Sequence, residues 1–188
     1  MKKILILTDE YPPNIGGAGI AASAYVNALS SFYSISLVTA SGKHLKSPYC
    51  FQKKRFIWPI QYYLQFKRLK LEDYDIVILN DGPVQFAASL FFSSKLLRRS
   101  IAIVHGVEKL VLRPSAYSKL FSYPKRIEQL YNSVSVIVGV SNYILDEVDK
   151  YFNLPNVKKK VIYTPVKLEK LELSRKEFSI LSVGRIVK

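Results

Sequence analysis

Apolar and polar positions fall in blocks along this chain rather than alternating residue by residue. Residues 3–8 are built on the unbroken apolar run Ile4 to Leu7, as a strand buried on both faces requires. Residues 19–29 are small and apolar, with Ile20, Ala24, Asn27 and Ala28 at helical spacing, which predicts a helix packed closely on a sheet. Residues 34–39 repeat the strand pattern. A short strand near residues 51–57 follows, and then a helix over 59–71, opened by Pro59 where a missing N–H costs least. The pattern next predicts a strand over 75–80, a buried helix over 83–97 and a strand over 100–104 that runs into His105-Gly106. A helix over 115–133 is broken or kinked at Pro124. A strand over 134–140 and a helix over 142–152 come after it, with Ser141 as a good N-cap. Residues 161–163 predict one more short strand, 167–177 a charged linker and 178–183 the start of a further strand.

Strands separated by helices imply parallel pairing through crossover connections. The expected fold is therefore α/β: a doubly wound, mostly parallel, Rossmann-like sheet with helices on both faces. Ligands of such folds sit at the carboxyl ends of the strands. The residues found there are Asp9 with the following glycines, Asp81-Gly82, His105-Gly106, Ser141-Asn142 and Arg185.

The first of these exits, TDEYPPNIGGAG, places three glycines between a strand and a helix, where backbone can approach a phosphate closely. Gly17 to Ala22 fits the dinucleotide pattern G-x-G-x-x-A, but two features exclude that reading. The glycines begin well past the strand end, across Pro12-Pro13, whereas the dinucleotide turn comes directly off the strand. No acid occurs between Glu10 and Glu72, so none follows the second strand to hold a ribose. Gly16 and Gly17 remove side chains from this loop, and the helix start offers free N–H groups and a positive dipole end to an anion.

Composition narrows the class. With 188 residues and 49% of them hydrophobic, the chain can bury a substantial core, and its one cysteine, Cys50, excludes an intramolecular disulfide. No run approaches the length that spans a bilayer, and the N-terminus lacks the form of a signal peptide, so a cytoplasmic or inner-face location is expected. A formal charge of +14 favours anionic partners. The charge is concentrated: residues 43–70 hold eight cations and no acid, interleaved with seven aromatics. That mixture suits a peripheral membrane surface, with Lys53, Lys54, Arg55, Trp58, Lys67 and Arg68 as the candidate docking residues. A basic module for anionic lipid or nucleic acid is the rival reading. Nucleic acid is not expected as a partner, since no zinc-finger spacing or RNA-recognition signature is present.

Five stretches, in order, point further: YPPNIGGAG, VHGVE, VIVGVSNYILDEV, KVIYTPVKLE and ILSVGRIVK. Together they resemble the amino-terminal domain of retaining glycosyltransferases of family four, which have the two-domain GT-B fold. The resemblance implies an amino-terminal, acceptor-side domain over residues 1–165 and an interdomain linker over 166–177. Residues 178–188 then match the first strand of a donor-binding domain whose remainder is absent, so the chain alone is expected to be inactive. The implied reaction moves a sugar from a nucleotide-sugar to an acceptor hydroxyl with retention, on a glycan or lipid-linked acceptor, with no cofactor or essential metal. His105 corresponds to the histidine near the transferred sugar, Gly16 and Gly17 to the loop lining the cleft near the donor diphosphate and the acceptor, and Arg185 to the arginine that holds the donor phosphates. Asp9, Asp81, Glu108 and Ser141 are candidate acceptor contacts. Thr164 and Lys167 depart from the family's usual Asn and Asp. A GT-B nucleotide-sugar epimerase is a further alternative within the same fold.

Overall fold

Six parallel strands form one sheet in a computed structural model of the chain, which describes residues 1–13, 16–40, 49–54, 57–107 and 121–165. The strands are β1 (Lys3–Thr8), β2 (Ser34–Thr39), β3 (Ile76–Leu79), β4 (Ser100–Val104), β5 (Val136–Gly139) and β6 (Lys159–Val161). Their spatial order is β2-β1-β3-β4-β5-β6. The chain thus winds outward from β1 to β2, then returns to the other side of β1 and continues from β3 to β6. Direction reverses between β1 and β3, whose register pairs Ile4 with Ile76 and Leu7 with Leu79. A crevice opens at such a switch point, beyond the strand ends.

Strands β1 to β5 divide their side chains between two cores. Leu5, Leu7, Val77, Leu79, Ala102, Val104 and Ile137 face the larger one. Ile4, Ile6, Ile78, Ile103 and Val138 face the smaller. Continuous apolar strands arise because both faces must be covered. The smaller core is closed by α1 (Gly17–Leu29) through Tyr25, Val26 and Leu29. The larger core takes α2 (Trp58–Arg68), α3 (Gly82–Phe91), the short α4 (Ser94–Leu97), α5 (Tyr123–Tyr131) and α6 (Asn142–Tyr151).

Several expected elements change on folding. In α1 the buried residues are Gly19, Ala21 and Ala22, while Ile20, Asn27 and Ala28 face outward. Small residues let that helix approach the sheet, so the larger Ile20 is left on the other side. The single helix expected over 83–97 is two, because Phe92 turns to extended backbone (ψ 138) and Ser93 caps α4 with its hydroxyl. Pro124 opens α5 in its first turn, where a missing N–H costs least, and residues 115–120 of the expected helix lie outside the described residues. Where a strand is expected near residues 51–57, the described residues show isolated bridge positions at Cys50, paired with Thr39, and at Gln52, while residues 55–56 lie outside the described residues. The linker and final strand expected over 167–183 lie outside the described residues.

The aromatic block is corrected as well. Trp58, expected at a membrane surface, is 9% exposed and packs against Phe86 and Tyr62, with ring centroids 5.7 and 6.1 Å apart. Phe51, Tyr62 and Phe66 are buried beside it. Rings of this size bury on the order of 200 Å² each, and α3 offers an apolar surface to receive them.

Candidate functional site

A cavity of about 230 Å³ lies at the carboxyl ends of β1, β3 and β4, at the switch point. Asp9 and Glu10 after β1, Asp81 after β3, and His105, Gly106 and Val107 after β4 form its polar side. Ile127 and Tyr131 of α5 and Val148 and Phe152, in and just after α6, close the apolar side. Three expected site residues, Asp9, Asp81 and His105, therefore meet in one place, though they are up to 96 positions apart in the numbering of the chain.

A buried polar chain ties these exits together. The Asn80 amide donates from Nδ2 to the Ala18 carbonyl at 2.9 Å and to Thr8 Oγ1 at 3.1 Å. The Thr8 hydroxyl in turn lies 2.9 Å from Asp81 Oδ2. Because the Ala18 carbonyl can only accept, the Asn80 amide has one orientation, and its Oδ1 faces His105 Nε2 at 3.2 Å. Nε2 must then carry the imidazole proton. Burial lowers the His105 pKa from its usual range, although a hydrogen bond with the Asn80 backbone pulls the other way. The ring is neutral near pH 7, and Nδ1 is left as a hydrogen-bond acceptor.

The two acids are occupied differently from what their positions in sequence suggest. Asp81 accepts from the Asp9 N–H at 2.6 Å, from Thr8 Oγ1, and from Val84 N–H at 3.3 Å as the N-cap of α3. Burial first and the Asp9 charge second push its pKa up to about 7, against the pull of those hydrogen bonds. Asp9 holds Lys53 Nζ at 2.7 Å through one oxygen and accepts from the Tyr62 hydroxyl at 3.1 Å through the other. Burial and the two neighbouring carboxylates keep the Tyr62 phenol protonated, with its pKa well above the ordinary value. Lys53 also lies 5.0 Å from the centre of the Trp58 ring. It is thus held between Asp9 and Trp58 rather than at the docking surface to which its charge assigned it.

The glycine loop serves three purposes. A Cβ on Gly16 would fall 1.6 Å from Glu10 Oε2, so this glycine makes room for the Glu10 carboxylate beside the start of α1. Nothing lies within 4 Å of a Cβ on Gly17, which faces open space. On Gly19, which sequence reasoning passed over, a Cβ would sit 3.1–3.2 Å from Glu10 backbone and Cβ atoms. Close approach of helix and strand exit is set there. No side chain caps α1, and its first turn contains no acid. Ser141 spends its oxygen on Ile144 N–H as the cap of α6 and is not among the cavity's lining residues. Glu108, Arg55 and Arg185 lie outside the described residues. Lys54, Lys67 and Arg68 are exposed, remote in role from the cavity.

Sequence reasoning also missed Gln85 and Tyr131. Gln85 is 2% exposed and donates from Nε2 to the Leu79 and Ile103 carbonyls, while Tyr131 donates its hydroxyl to Gln85 Oε1 at 3.0 Å. These contacts finish the ends of β3 and β4 beneath the cavity. A polar residue inside an otherwise apolar helix was the available signal.

A parallel sheet of this order, with a polar cavity at its switch point, defines a Rossmann-like ligand-binding domain. A model of the family described as Glycosyltransferase Family 4 matches residues 15–170, most of the chain's length. The chain belongs to that family, as the amino-terminal domain of a GT-B fold. No curated protein matches it.

Proposed function

We propose that this domain presents an acceptor hydroxyl to a nucleotide-sugar and takes part in transfer of the sugar with its anomeric configuration retained. The acceptor is a glycan, lipid-linked or otherwise held at a membrane. One observation carries the reading: the switch-point cavity contains a neutral His105 whose Nε2–H is committed to Asn80, so that only the acceptor Nδ1 remains. Such a nitrogen suits a sugar hydroxyl, which donates, and a neutral ring does not oppose positive charge developing at the anomeric carbon. The start of α1, which no side-chain hydrogen bond caps, supports a place for the leaving diphosphate once the Glu10 carboxylate, which lies beside Gly16, turns aside. Family resemblance adds Arg185 as the phosphate partner and Glu108 as an acceptor contact. No metal or cofactor enters this reading.

Saturation-transfer NMR of the chain with a panel of methyl glycosides and nucleoside diphosphate sugars tests it. Glycosides should receive saturation from the wild-type chain and lose it with His105→Ala, while nucleotide-sugars alone bind weakly or not at all. Absence of any glycoside signal, or glycoside binding unchanged in His105→Ala, would overturn the assignment.

A further inference from the structure

The helix α2 is apolar on two opposite faces. Trp58, Tyr62, Gln65 and Phe66 on one face are buried against the core. Ile57, Ile60 and Leu64, spaced three and four residues apart, stand on the other and are 44%, 56% and 52% exposed. A helix at the surface of a globular protein normally places polar residues there. The apolar strip widens sideways, since the Tyr63 ring lies tilted against Phe91 of α3, 4.8 Å between centroids, and Phe91 is itself 37% exposed. Lys67 lies over the Tyr63 ring at 5.0 Å, and Lys67 and Arg68 continue the exposed face by one more turn.

We infer that this outer face of α2 seats the protein in the plane of an anionic membrane, with Ile57, Ile60 and Leu64 entering the headgroup–acyl boundary and Lys67 and Arg68 meeting lipid phosphates. The occupant follows from charge. The exposed cations that continue and precede the strip, Lys67, Arg68 and Lys54, share one sign, and no acid occurs between Glu10 and Glu72. A second copy of this chain, at +14, would bring like charges together across the contact. An anionic lipid surface answers both the apolar strip and its basic end. The helix is 11 residues long, about 16 Å, and none of the described helices is long and apolar enough to cross a bilayer, so the mode of binding is in-plane. These inserting residues differ from those the sequence singled out, because Trp58 is in the core and Lys53 is held by Asp9. The face lies outside the cavity, and the inference stands independently of sugar transfer.

Vesicle cosedimentation of the full chain tests it, with phosphatidylcholine alone against phosphatidylcholine containing phosphatidylglycerol. The double variants Ile60→Asp with Leu64→Asp and Lys67→Glu with Arg68→Glu are compared with wild type, after circular dichroism shows that each is folded. Wild type should bind the anionic vesicles at least tenfold better than the neutral ones, and each double variant should lose at least tenfold. Raising salt should weaken wild-type binding, since screening acts over about 8 Å at physiological ionic strength. In a Leu64→Trp variant, brominated acyl chains should quench the new tryptophan while Trp58 in the wild type stays unquenched. Equal binding to both vesicles, no loss in either double variant, or binding without quenching at position 64 would refute the inference. Self-association at micromolar concentration without vesicle binding would assign the face to a second copy instead.

Discussion

Replacing Asp81 with serine separates two opposing influences on one carboxyl group. Three donors converge on Asp81, which favours the anion, while burial and the nearby Asp9 favour the acid. The balance raises its pKa from 3.8 to about 7. A group raised in the folded state supports folding fully below its unfolded pKa, and that support is lost as pH rises through the folded value. Over the window from about pH 4 to 7 the difference amounts to on the order of 4 kcal/mol. Asp81→Ser keeps a side-chain oxygen for the Val84 N–H, so the cap of α3 survives while the titration is removed. His105 acts in the reverse direction, because its lowered pKa makes its contribution present at and above pH 6.5 and lost as pH falls. Taking the difference between wild type and variant at each pH cancels that term. Urea denaturation at half-unit steps from pH 4 to 8 is the assay. The wild type's advantage over Asp81→Ser should be greatest near pH 4 and shrink steadily towards pH 7. An advantage that stays level or grows with pH would show that the three donors prevail and that Asp81 is an ordinary ionised cap.

Gly19→Ala should lower stability by roughly 1–3 kcal/mol, since its Cβ presses on Glu10 backbone, whereas Gly17→Ala should leave the melting temperature unchanged or slightly higher. Equal melts for the two variants would refute the assignment of close packing to Gly19. Tyr131→Phe leaves the buried Gln85 Oε1 without its donor and should cost about 1–3 kcal/mol in chemical denaturation. Ser122 has left-handed backbone (φ 49) ahead of α5, so Ser122→Gly should raise stability by roughly 0.5–1 kcal/mol, read as a higher melting temperature.

Much of the architecture was legible in the chain's pattern because buried parallel strands are continuous apolar runs, shorter than a helix and bounded by polar or turn residues. Residues 3–8, 34–39 and 100–104 coincide with β1, β2 and β4 to the residue. The strand exits carrying Asp9, Asp81 and His105 could be found in the same way, since a polar residue directly after such a run stands at the rim of the sheet. Asn80 was visible too, as the polar residue closing an apolar strand, but its link to His105 was not. That link depends on β3 and β4 being neighbours, and order within a sheet leaves no mark on local periodicity.

Facing and commitment are set by what the rest of the molecule offers. Ile20 and Leu64 have the apolarity of core residues, yet both are exposed, because α1 and α2 each have another face that the core takes up. Trp58 had the composition of a membrane anchor and became core because α3 brought Phe86 within 5.7 Å. Lys53 had the charge of a docking residue and was drawn inward by Asp9, 44 positions away. Local pattern reports the free energy of a segment next to an apolar surface and so identifies strands and their ends. Which surface a residue meets, and which opposite charge it finds, depends on contacts between distant segments, and these exist only once the sheet is assembled.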